Sequence, residues 1–215
     1  VRRCGVSTTF FVFPGNSDLP TFRAVRDLTQ DKLHRYLRSL GVDARPTVHV
    51  ALQGWDDHHA APFSLDLPFV WPEDQYAWFT IDGVLGGTDA DTKPVRLEVA
   101  DDEFGVWELP FKVETFDAPA VLETARASGR CWSFRRSAGQ PSAIVLLYGL
   151  LASATAELTH GVVYSEDGAW DAERFPAWPW DFDGWYLRPE GALREELRAW
   201  GEVHAEGLRR AFRRT

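Results

Sequence analysis

The chain has no methionine and only two cysteines in 215 residues. Lacking Met at position 1, it is expected to begin either at an alternative start codon or inside a longer product, with residues 1 to 6 as a disordered or start-site extension. Cys4 and Cys131 could form at most one bridge, so there is no disulfide framework and a reducing, cytoplasmic setting is expected. No apolar stretch of signal-peptide length follows Arg2 and Arg3. The longest apolar run, Ala143 to Leu158, is interrupted by Tyr148, Ser153, Thr155 and Glu157. It falls short of the roughly 20 clean apolar residues of a bilayer span, so no membrane partner is expected. Positive charge is also scarce: the formal net charge is −9, which argues against nucleic acid, since phosphate neutralisation needs Lys and Arg in excess. The imbalance is uneven, because residues 188 to 215 hold seven Arg against five Glu, a local +2 that leaves −11 on the rest.

What is present is a core-forming composition, 45% hydrophobic with 26% charged, and no repeat or Ser/Gly-rich linker divides it. Residues 1 to 215 therefore read as one domain. Its centre is the stretch from Pro141 to Thr159, where Ala143, Ile144, Val145, Leu146, Leu147, Leu150, Leu151, Ala154 and Leu158 are apolar on nearly every side. A helix of that kind belongs in the interior. Pro141 suits its first turn, and Gly161 can end it in the left-handed conformation. Gly149, Ser153 and Ala156 form a small-residue stripe that lets another element approach, and Val162 to Tyr164 reads as a strand running back along the helix.

Around this unit, Thr8 to Phe13 is a β-branched and aromatic strand before the turn Pro14-Gly15-Asn16. Thr29 is expected to cap a helix from Gln30 to Leu40, with Leu33, Tyr36, Leu37 and Leu40 on one face. Thr47 to Leu52 alternates like a half-buried strand, and residues 55 to 75 read as a loop. Further strands are expected at Tyr76 to Ile81, Val95 to Val99, Phe104 to Glu114 and Cys131 to Phe134, with hairpin turns at Asp82-Gly83 and Asp101-Asp102. Pro119 to Ala127 reads as a short helix, and a long helix is expected from Pro189 to about Arg213. The order predicts an α+β fold: an antiparallel or mixed sheet of about five to seven strands, packed on a buried central helix and a long C-terminal helix.

No residue carries a catalytic or cofactor signature. There is no Gly-x-Ser-x-Gly, neither cysteine has a convincing His partner, and Gly83 to Gly87 lacks the Lys and helix of a phosphate loop. Neither a catalytic residue nor a cofactor is assigned. Asp56-Asp57-His58-His59 follows a predicted strand, and Asp57-His58-His59 resembles the Asp-His-His triplet of a family of phosphoesterases. No Asp-rich strand motif precedes it. The resemblance covers only those three residues and implies a small metal-dependent hydrolase using this loop; separately, the Gly161 turn could bring His160 near Glu166, Asp167 and Asp171 as further ligands or a base, whereas the plainer expectation is a solvated loop holding no metal.

The most unusual composition lies between Thr159 and Tyr186. Aromatic rings alternate there with carboxylates, and Arg174 is the only basic side chain apart from His160. Pro and Gly suggest an irregular loop, so a recognition surface is expected with Glu166, Asp167, Asp171, Asp181 and Asp183 steering a basic protein partner. Trp170, Trp178, Trp180 and Trp185 would supply contact area. In size, charge and lack of catalytic motifs the chain is similar to bacterial immunity proteins of toxin systems, which implies a non-enzymatic inhibitor. A third reading is a structural subunit that associates through the Arg-tipped C-terminal helix.

Overall fold

A computed structural model of the chain describes residues 8–56, 60–94, 118–165 and 170–213. Among the described residues, seven strands form one sheet: β1 (Thr8–Phe13), β2 (Val48–Gly54), β3 (Ala60–Ala61), β4 (Gln75–Ile81), β5 (Thr88–Pro94), β6 (Arg130–Arg136) and β7 (Val162–Tyr164). Their order is β3-β2-β4-β5-β6-β1-β7, and every neighbouring pair is antiparallel. Five α-helices accompany it among the described residues: α1 (Phe22–Ser39), α2 (Ala118–Ser128), α3 (Ser142–Leu158), α4 (Pro179–Trp185) and α5 (Glu195–Ala211). The fold is α+β, built on a single sheet.

Side chains alternate across a strand, so one face of the sheet collects Leu52, Ala77, Phe79, Ala90, Trp132, Phe134, Phe10 and Val12, all buried. This face meets α3. The helix is enclosed by β1, β6 and β7 on one side and by α1, α4 and α5 around the rest, and its residues from Ala143 to Ala156 are all buried. Its small-residue stripe is occupied by the chain around α4. A Cβ at Gly149 would lie 2.1 Å from the Tyr186 ring, and the Ser153 hydroxyl meets the Pro179 carbonyl and the Asp183 carboxylate.

Several boundaries differ from the sequence expectation. α1 starts a full two turns earlier, because Thr21 rather than Thr29 is the cap: its Oγ1 accepts the Ala24 amide at 3.1 Å. Thr29 is instead buried within the helix and donates to the Val25 carbonyl at 2.7 Å, the local alternative open to a threonine. At the end of α3, His160 takes the positive φ of 50° expected for Gly161. The amides of Gly161 and His160 return to the carbonyls of Ala156 and Glu157, closing the helix end. Gly161 is needed for contact, since a Cβ there would lie 2.1 Å from the Phe13 carbonyl oxygen.

The C-terminal helix does not begin at Pro189. Pro189–Gly191 form a 3-10 turn packed on Trp185, the Gly191 carbonyl accepts Arg174, and α5 begins at Glu195. β5 has no strand-like composition, Thr-Asp-Ala-Asp-Thr-Lys-Pro. It is a strand because it completes the ladder between β4 and β6, with Ala90 in the core and Asp89 held by Arg135 at 2.9 Å. The strands expected at Val95 to Val99 and Phe104 to Glu114, the extension at residues 1 to 6 and Cys4 lie outside the described residues. Cys131 is buried. Among the described residues, no helix is long and apolar enough to cross a membrane.

Candidate functional site

From Trp170 onward the chain is more regular than its Pro and Gly content suggests. Pro179 occupies the first turn of α4, where its fixed φ is favourable and its missing N–H costs nothing. Asp181 in the same turn suits the positive end of the helix dipole. From there Phe182, Trp185 and Tyr186 fall on one side at helical spacing and are buried. Phe182 stacks on Tyr186 at 4.7 Å and meets Trp185 edge-on at 4.9 Å. Two turns, a proline start and an i, i+3, i+4 aromatic face were the signals in the sequence for a helix here.

This packing divides the expected recognition residues. Trp170 is buried between Trp200, at 4.9 Å, and Tyr186, at 6.1 Å. Trp185 is buried against Phe175 and Phe182, with the Arg174 guanidinium 5.5 Å from its ring. Asp171 is fully buried beside Arg174 and Arg194, at 3.5 and 3.9 Å. These three side chains serve the interior and have no surface to offer a partner, because the aromatic face of the segment is the one the core takes up. Glu166 and Asp167 lie outside the described residues.

The outward-facing remainder is compact. Trp178 is half-buried and Trp180 is 64% exposed, and their rings stack at 5.3 Å, within 10° of parallel. Asp181 beside them is exposed. Asp183, one turn on from Pro179, is half-buried and accepts both the Ser153 hydroxyl, at 2.6 Å, and the Lys32 ammonium. Lys32, whose side chain is only 2% exposed, also meets Glu157 at 2.7 Å. One lysine of α1 thus draws together a carboxylate of α3 and one of α4. Sequence reasoning missed both Lys32 and Glu157: Lys32 lies 151 positions from Asp183 along the chain and only the fold brings the three side chains together, so no local pattern marks them.

The other candidate residues are not assembled. Asp56 is exposed, and Asp57, His58 and His59 lie outside the described residues. His160 is exposed at the end of α3, its Nδ1 3.3 Å from the Asn16 amide nitrogen. Among the described residues, no group of three or more His, Cys, Asp or Glu side chains is gathered as a metal site. On α5, Leu208, His204 and Ala205 face the core, while the outer face carries Glu202, Glu206 and Arg210 around Val203. Comparison with protein-family models, with curated proteins and with solved structures finds no match.

Proposed function

We propose that this protein is a non-enzymatic binding protein that captures a basic protein partner on the Trp178–Trp180 stack and the carboxylates beside it. The observation that carries the reading is the stacked indole pair, with Trp178 half-buried and Trp180 64% exposed on a short helix whose opposite face is anchored in the core. Stacking on Trp178 holds the exposed Trp180 ring in one orientation, and indoles are prominent among the residues that dominate interface energies. Asp181 follows Trp180 and is exposed, Asp183 one turn further along the same helix is held by Lys32, and the chain as a whole carries −9. Such a field speeds encounter with a basic surface. Inhibition of a basic toxin, as an immunity protein performs it, is the form of capture that suits this arrangement.

Capture from the native cell identifies the partner, and binding kinetics with purified components then test the surface. Trp180→Ala is expected to weaken binding by about 2 kcal/mol without changing thermal stability. Asp181→Lys is expected to slow association mainly at low salt. Unchanged affinity in both variants would remove this surface from consideration.

A further inference from the structure

The helix α5 closes one side against the core and leaves the other to solvent. Gly201, His204, Ala205 and Leu208 are buried, and a Cβ at Gly207 would lie 2.2 Å from the Ser142 hydroxyl oxygen, so that side has no room for a partner. Glu196, Ala199, Val203, Glu206 and Arg210 are all exposed, Val203 by 62%. Their spacing runs three, four, three and four, the alternation that keeps side chains on one stripe of a helix. Small apolar side chains hold the middle of this stripe. Opposite charges stand toward its two ends, because Glu196 and Arg210 each lie seven residues from Val203.

The two halves of the helix also differ in charge. From Glu195 to Glu202 there are three Glu and one Arg, a net −2, and from Val203 to Arg213 one Glu and three Arg, a net +2. Among the described residues the ion pairs along α5 are Arg198–Glu195 at 3.6 Å, Arg209–Glu206 at 3.9 Å and Arg210–Glu206 at 3.8 Å, and none of them takes up Glu196. A helix dipole by itself favours acids in the first turn and bases in the last. It does not require them to share one exposed stripe with apolar side chains midway between.

We infer that two copies of this protein associate through the outer face of α5, antiparallel about a two-fold axis at Val203. Val203 then meets the partner's Val203, Glu196 meets the partner's Arg210, and the same charge pair recurs on the other side of the axis. Ala199 lets the two helices approach closely. A two-fold contact has to be self-complementary, and the reversal of charge about Val203 supplies that; a parallel pairing would set each charge on its own like. The helix has 17 residues, a length of about 25 Å. Contact along one such helix is smaller than a standard interface of about 1,600 Å², so the dimer should dissociate on the order of 100 µM. The indole pair lies on α4, so this association and the capture of a basic partner stand or fall separately.

The test is sedimentation equilibrium of the full chain from about 5 µM to about 1 mM. The mass should rise with concentration from 24.3 kDa toward twice that value. Val203→Glu should weaken association about tenfold or more and leave the thermal midpoint of the monomer unchanged, because the side chain it replaces is exposed. Glu196→Arg and Arg210→Glu should each weaken it several-fold, since each turns two attractions into two repulsions. Mixed in equal amounts, these two variants should associate with each other about as tightly as the parent does with itself, because every facing pair is again of opposite charge. That recovery separates the register from any change in helix stability. The inference is overturned if Val203→Glu associates as the parent does, or if the mixture associates no better than either variant alone. A parent that stays a monomer throughout also overturns it and leaves this face to a different partner.

Discussion

Mild acid should destabilise this protein through His204. The imidazole is buried between α5 and the start of α3, with the Trp200 ring edge-on at 4.4 Å, Ser142 Oγ at its Nδ1 and the positive charge of Arg136 nearby. Desolvation first, and Arg136 second, lower its pKa from 6.5 to about 4. Between these values the unfolded chain takes up a proton that the folded chain refuses. Stability is therefore present above about pH 6.5 and is lost as pH falls toward about 4. Fully expressed, the difference is about 3 kcal/mol, of which about 2 kcal/mol falls between pH 7 and pH 5. Asp66, which Arg23 holds below the usual carboxylate range, titrates below this window and does not confuse it. The assay is urea unfolding of the parent and of His204→Gln at pH 7, 6 and 5. The parent should lose about 2 kcal/mol more than the variant over that interval. Parallel pH profiles would show that the ring is hydrated and the reasoning from burial is wrong.

Two substitutions probe how α4 is held. Lys32→Ala leaves Asp183 and Glu157 facing each other without their shared cation. It should cost about 2 kcal/mol by chemical denaturation, less than a fully buried pair because both carboxylates retain some solvent, and a cost near zero would mean the lysine is replaceable by water. Gly149→Ala gains up to about 1 kcal/mol of helix propensity, but its Cβ would lie 2.1 Å from the buried Tyr186 ring, whose hydroxyl is bonded to the Val145 carbonyl. Overpacking of about 1–3 kcal/mol should win, so thermal unfolding should show a lower midpoint; a stabilised variant would refute the close packing of α4 on α3.

Legibility followed burial. α3 could be read because its side chains are apolar in every direction, a pattern with one physical solution. β1, β4 and β7 were readable for a related reason, as β-branched and aromatic runs that need a buried sheet. Of the expected recognition surface, Trp178, Trp180 and Asp181 face outward, while Trp170, Asp171 and Trp185 face inward. Composition marks a segment as rich in indoles and carboxylates without saying which face the core will take. Only at α4 does the spacing of Phe182, Trp185 and Tyr186 carry that information.

By itself, then, the sequence determined the α+β class, the buried central helix and the absence of a local catalytic motif, because each depends on the pattern of neighbouring residues. Tertiary structure alone decided that Thr-Asp-Ala-Asp is a strand, that Thr21 and not Thr29 opens α1, and that Lys32 joins carboxylates from two other helices. It also decided that Arg136 is buried with no acidic partner among the described residues. These outcomes depend on side chains brought together from distant positions, where the free energy of pairing, desolvation and close packing outweighs the preference of any local stretch.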